Sequence, residues 1–197
     1  MLIPASLVVV AYLMGSVSTA VLVCRALGVA DPREVGSRNP GATNVLRHAG
    51  KGAAAVTLLG DAAKGLVPVL AGHALGLDFT WLAAVGLAAF LGHLYPVFYG
   101  FVGGKGVATF IGVTLALDWR LGASFVGVWL AMAFALRWSS LAALVATASM
   151  PLVAWRLGAP PAAVGLILAM CALVYWRHRG NIQNLLNGTE KKIGQKA

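Results

Sequence analysis

Seven mostly apolar stretches, residues 2–23, 52–75, 79–99, 106–117, 121–136, 141–155 and 162–176, alternate with short polar breaks along the chain. Long apolar runs of this kind predict helices that cross a membrane, about 20 residues to each straight crossing. The first three reach that length, and the last four fall short of it. A re-entrant hairpin over the fourth and fifth would put Asp118 and Arg120 inside the membrane at a few kcal/mol each. It would leave the C-terminal end on the same side. The first stretch has no basic residue ahead of it and no small-residue cleavage site before Arg25, so it predicts a retained span rather than a signal peptide. The expected fold is an all-α polytopic integral membrane protein with about seven transmembrane helices, residues 1–197 forming one domain. The polar end from Asn187 onward is expected to be mobile.

Composition agrees with that pattern: of 197 residues, 59% are hydrophobic and 11% charged, with a mean hydropathy of +0.83. A net charge of +9 would suit a nucleic-acid binder, but no basic patch interleaved with aromatic residues exists to make one. The charge reads as topology instead. With seven spans, one side of the membrane receives the twelve cations at positions 25, 33, 38, 47, 51, 105, 137, 177, 179, 191, 192 and 196, and the other receives Arg120 and Arg156. Basic residues stay inside, so the N-terminus is expected outside and the C-terminus in the cytoplasm. Cys24 and Cys171 lie in or beside apolar segments without metal-ligand neighbours, which predicts packing rather than a disulfide or a nucleophile.

Three polar clusters then fall on the cytoplasmic side. Residues 36–47, Gly-Ser-Arg-Asn-Pro-Gly-Ala-Thr-Asn-Val-Leu-Arg, gather glycines that admit close backbone approach, donors in Ser37, Asn39, Thr43 and Asn44, and the charges of Arg38 and Arg47. That is the chemistry of a phosphate or carboxylate site, and a mere connector has no use for it. Gly103-Gly104-Lys105-Gly106 precedes an apolar helix whose free N–H groups and dipole would face an anion beside Lys105. Its spacing is not that of a Walker A loop. In the third cluster, a helical run from Arg177 puts His178 and Asn181 on one face. Arg177, Arg179, Lys191 and Lys192 equally suit headgroup anchors. Asp61 and Lys64, three residues apart within the second span, form either a self-neutralising buried pair or part of the site. His93 stands before Pro96, where a carbonyl freed by a proline kink is its ordinary partner.

These residues carry a resemblance. Gly36 to Arg47, Gly92-His93-Leu94-Tyr95-Pro96-Val97-Phe98 with Gly103 to Thr109, Gly60-Asp61-Ala62-Ala63-Lys64-Gly65, and His178-Arg179-Gly180-Asn181 resemble, in order and spacing, the signatures of the bacterial acyl-phosphate-dependent glycerol-3-phosphate acyltransferases, the PlsY family. The likeness runs over essentially the whole chain. It departs at Arg38, where that family's pattern favours glycine, and at Val102, where lysine is common. The resemblance implies transfer of a fatty acyl group from acyl phosphate to the sn-1 hydroxyl of glycerol 3-phosphate, the first acylation of phospholipid synthesis. It implies a bacterial cytoplasmic membrane enzyme with its site facing the cytoplasm, needing no cofactor, metal, coenzyme A or acyl carrier protein. By similarity, Ser37, Arg47, Lys105, His178 and Asn181 would hold glycerol 3-phosphate. The backbone around Asn39, Gly41, Ala42, Thr43 and Asn44 would hold the acyl phosphate and its oxyanion, with Gly103, Gly104, Asp61, Lys64 and His93 as further substrate-binding candidates.

The clusters contain no Ser-His-Asp, Cys-His or His-x₄-Asp arrangement, which fits a donor already activated as a mixed anhydride. The base is then the substrate's own phosphate or His178. A transporter of an anionic metabolite or lipid is the alternative, and the nearly bare outward loops, 76–78, 118–120 and 156–161, weigh against it. A structural subunit would not need the 36–47 loop. Metal-dependent phosphatidyl transfer would need clustered carboxylates that the sequence lacks.

Overall fold

The computed structural model describes residues 2–195, so Lys196 lies outside the described residues. All seven apolar stretches are helical. In chain order the helices are α1 (Leu2–Gly15), α2 (Thr19–Ala26), α3 (Ala42–Ala74), α4 (Phe79–Leu94), α5 (Val107–Leu117), α6 (Trp119–Leu136), α7 (Ser139–Arg156), α8 (Pro161–Arg177) and α9 (Arg179–Leu186). No strand occurs among the described residues.

Three helices, α3, α4 with its following turn, and α6, are long and apolar enough to cross a membrane; counting the bent pairs α1–α2 and α8–α9 as single spans makes five. The first expected span is thus broken: the chain turns by 41° between α1 and α2, and Ser18 caps the restart by accepting from the Val21 N–H. The third expected span ends early, at Leu94, and a short 3-10 turn follows over Val97–Tyr99. Pro96 explains this, because the residue before a proline resists helical φ/ψ. The fourth, α5, has 11 residues and is only about 16 Å long at 1.5 Å per residue. It falls well short of the hydrocarbon thickness of about 30 Å.

The main core gathers inward faces of α1, α3, α4, α5, α6, α7 and α8, with Phe90, Phe110 and Phe125 fully buried at its centre. Close helix approach is bought with small residues. At Gly112 of α5 a side chain would overlap the Ala62 carbonyl of α3, so only glycine lets these two backbones touch. The crossing fixes α5, and the loop ahead of it, against α3. Helix α3 is 33 residues long and breaks at Gly50, whose φ of 84° and ψ of −178° are not helical. Its first turns therefore stand apart from the long segment that follows. At that end of the bundle the 36–47 loop, the 103–106 turn and α9 converge.

Candidate active site

Asn44 shapes the first loop. Its Nδ2 donates to the Pro32 and Val35 carbonyls at 2.8 and 3.1 Å, and its Oδ1 accepts the Ser37 N–H at 3.2 Å. The side chain expected to meet substrate is spent holding the loop in place. Gly41 caps α3 without a side-chain hydrogen bond, so the first N–H groups of the helix, at Ala42 and Thr43, stay unpaired by helix geometry and point outward with the positive dipole end. Thr43 Oγ1 meets Ser139 Oγ of α7 at 3.1 Å.

The second loop is held from both sides. The Gly104 N–H donates to the His93 carbonyl at 3.1 Å. Arg177 donates through Nη2 to the Gly103 carbonyl at 2.6 Å and through Nε to the Gly104 carbonyl at 3.1 Å, and it stacks 5.7 Å over the Tyr95 ring. Position 104 lies so close to the His93 ring that any side chain there would collide with it. Arg177 therefore clamps a backbone turn, where the sequence had suggested a lipid anchor. The clamp presents Lys105, whose ammonium donates to Asn181 Oδ1 of α9. Burial is the main cause that lowers the Lys105 pKa to about 8; Arg177 and Arg47 lower it further, and Glu190 opposes them.

His178 sits at the junction of α8 and α9, 3% exposed. Its Nδ1 lies 2.8 Å from the Val174 carbonyl, which can only accept, so Nδ1 carries a proton and Nε2 is the free ring nitrogen. Deeper in, Asp61 and Lys64 form a buried ion pair at 3.0 Å, and Lys64 also donates to the Val17 carbonyl at 2.9 Å. His93 Nδ1 stands 3.8 Å from Asp61 Oδ1 without a hydrogen-bond partner among the described residues. The proline-kink carbonyl expected for it does not serve it, because α4 ends at Leu94, before Pro96, instead of continuing through a kink.

One cavity of ≈ 280 Å³ collects these groups. Every candidate from the sequence lines it except Gly103 and Gly104, whose backbone is engaged by the clamp, and Lys64, which faces Asp61 and Val17. Its polar end carries Ser37, Arg47, Lys105, His178 and Asn181. Its apolar end is made by Leu58, Ile111, Val126, Trp129 and Leu130 from α3, α5 and α6. Leu58 and Leu130 are 45% and 42% exposed, so that end is not sealed. Among the described residues no group of three His, Cys, Asp or Glu is placed to hold a metal ion.

Sequence reasoning missed Glu190. The segment it expected to be mobile folds back over the polar end as a strap. The Glu190 carboxylate accepts from Ser140, from Asn181 Nδ2 at 2.7 Å and from Asn184 Nδ2 at 3.4 Å. Its carbonyl accepts from Trp138 Nε1 at 3.1 Å, the Ile193 N–H donates to the Arg137 carbonyl at 2.6 Å, and Lys192 lies 5.3 Å over the Trp138 ring. Arg47 reaches the Lys191 carbonyl at 3.4 Å. The one available signal was compositional: the chain has six acidic residues, and a lone carboxylate among lysines near a cationic site has partners to find.

Apolar helices that close a cationic pocket at one end, with apolar lining leading away from it, make an integral membrane protein with a site for an amphiphilic anion. Over residues 5–188 the chain matches the family described as glycerol-3-phosphate acyltransferase. The glycerol-3-phosphate acyltransferase of Thioalkalivibrio sulfidiphilus is 56% identical over 196 residues, covering 100% of this chain and 97% of that one. That of Methylococcus capsulatus is 51% identical over 187 residues, 94% of each chain. The crystal structure of PlsY, an integral membrane glycerol 3-phosphate acyltransferase, in its glycerol 3-phosphate form is similar with a TM-score of 0.93 at 41% identity, covering 97% of this chain and 96% of that one. The lysophosphatidic acid form gives 0.90 at 39% identity, with 97% and 95% covered. The chain belongs to the glycerol-3-phosphate acyltransferase family.

Proposed function

We propose that this protein transfers a fatty acyl group from acyl phosphate to the sn-1 hydroxyl of glycerol 3-phosphate, giving lysophosphatidate and orthophosphate. One observation carries the reading: a single cavity joins a cationic, donor-rich end to an unsealed apolar end. Both substrates bring a phosphate to the first, and the donor's hydrocarbon tail fits the second. Arg47 and Lys105 supply the charge for glycerol 3-phosphate, with Ser37, His178 and Asn181 completing its hydrogen bonds. The α3 N-terminus at Ala42 and Thr43, with Asn39 and Gly41 beside it, receives the acyl phosphate and the oxyanion that develops on attack.

In the transfer the glycerol oxygen forms a bond to the acyl carbon, the carbon–oxygen bond to phosphate breaks, and the hydroxyl proton ends on a phosphate oxygen. The donor is a mixed anhydride with a good leaving group, so holding the two reactants together supplies much of the acceleration, up to roughly 7–11 kcal/mol. The phosphate of glycerol 3-phosphate serves as base, with His178 Nε2 as the protein group that could replace it. Neither coenzyme A nor acyl carrier protein takes part, and the reading calls for no cofactor or metal. Residues 1–197 act as one transmembrane domain in the bacterial cytoplasmic membrane, with the site facing the cytoplasm and the N-terminus outside. The seven apolar stretches are its crossings, α5 being the short one; the placement of the termini is the same if α5 and α6 form a re-entrant pair.

Purified protein given palmitoyl phosphate and glycerol 3-phosphate should release lysophosphatidate and orthophosphate, and palmitoyl-coenzyme A should not replace the donor. Absence of both products from folded protein would remove the reading. Acyl-labelled donor supplied without acceptor should leave the protein unlabelled. Stoichiometric label on Ser37 that chases into product would replace direct attack by a covalent route.

A further inference from the structure

Beside the main cavity lies a second cleft of ≈ 370 Å³ that shares Ser37, Asn39 and Lys105 with it and opens on the same end of the bundle. Four cations line it, Arg38, Lys105, Arg177 and Arg179, and none of its lining residues is acidic. None of the four forms a salt bridge among the described residues. At about 30 Å³ per water the cleft has room for a hydrated phosphate ester.

Arg38 holds a backbone φ of 54°, a left-handed conformation that L-residues adopt at a cost and glycine adopts freely. A glycine there would remove the strain. An arginine stands there in spite of it, and it lines the cleft. Val102 lines the same cleft, 53% exposed. Arg38 and Val102 thus line one cleft, a cation at one position and an apolar side chain at the other.

We propose that this cleft is an outer phosphate site, adjoining the site of acyl transfer and continuous with it through Lys105, which binds a phosphate dianion on the cytoplasmic side. Two sources share that chemistry: glycerol 3-phosphate on its way in, and the orthophosphate released by the reaction. Lys105 belongs to both cavities, so a phosphate can pass between them without leaving a cationic wall. The role in turnover rests on the acyltransferase reading; the binding of phosphate does not.

The test uses wild-type protein, Arg38→Gly and the double variant Arg38→Gly/Val102→Lys in detergent. Binding of orthophosphate is followed by calorimetry, and steady-state kinetics give the KM for glycerol 3-phosphate and inhibition by orthophosphate. Arg38→Gly should weaken orthophosphate binding roughly three- to tenfold, as befits one partly exposed charge-assisted contact, with an unfolding temperature no lower than that of the parent. Val102→Lys should restore it. A parallel rise in the KM assigns the site to incoming glycerol 3-phosphate; weaker inhibition with the KM unchanged assigns it to departing orthophosphate. Lys51→Ala, an exposed cation outside the cleft, is the control for general field effects. Unchanged phosphate affinity in Arg38→Gly, no recovery in the double variant, or an equal loss in Lys51→Ala would overturn the proposal. Wild-type protein that binds orthophosphate but makes no lysophosphatidate would defeat the acyltransferase reading alone.

Discussion

Lys105 is held between opposing influences: burial and the neighbouring Arg177 and Arg47 draw its ammonium toward neutrality, to a pKa of about 8, and the Glu190 carboxylate resists them. A phosphate needs the charged form, so affinity should fall as pH rises through that value. We expect the KM for glycerol 3-phosphate to climb above pH 8, by up to about tenfold per pH unit while Lys105 alone titrates. Lys105→Arg should flatten that climb, because a guanidinium stays protonated. A KM that is flat from pH 7 to 9.5 in the wild type would take Lys105 out of the phosphate site. Arg47→Ala and Lys105→Ala should each lose most activity while still inserting, about 1.5–3 kcal/mol for each charged hydrogen bond removed; a near-normal rate in either would misplace the phosphate. At this scale much was legible, since motif residues 36–47, 105, 178 and 181 could be read as donors and cations from type alone. Asn44 shows the limit. Its chemistry suits substrate as well as loop, and only the position of Pro32 and Val35 decides which it serves.

Helices were the easier level to read, because a long apolar run has few alternatives to a helix in an apolar medium. Their ends were not. The break between α1 and α2 and the early stop of α4 arise from local capping and from Pro96, signals smaller than the apolar runs around them. The strap at Glu190 was invisible for a different reason: its partners Ser140 and Trp138 lie some fifty residues away in sequence, and polar composition alone reads as disorder. The crossing of α3 and α5 matters most for the site, since it fixes where the 103–106 turn ends. Gly112→Leu should force these helices apart at a cost on the order of 3 kcal/mol, seen as a lower unfolding temperature in detergent together with lost activity. A normal unfolding temperature would mean that α5 is not packed as described.

For the whole molecule, orientation rests on the concentration of cations at one end of the bundle. Cysteines introduced singly at Asp78 and Gln195, with Cys24→Ala and Cys171→Ala as background, should label from opposite sides, position 78 from outside and 195 from within; labelling of both from one face would refute the arrangement. Because Cys24 and Cys171 are buried and unpaired, that background should retain activity. The unsealed apolar end of the cavity, with Leu58 and Leu130 at its edge, has a kinetic consequence. A substrate that arrives along the bilayer is met at its density in a surface, whereas glycerol 3-phosphate is met at its concentration in a volume. Adding inert phospholipid to vesicles at fixed total acyl phosphate should therefore slow turnover in proportion to the falling mole fraction of donor, and leave the dependence on glycerol 3-phosphate untouched. A rate that follows only the bulk concentration of donor would mean that the acyl chain enters from water. With entry along the bilayer, the enzyme's speed is set by how crowded the membrane is with other lipids, so that the membrane it helps to build dilutes its own precursor.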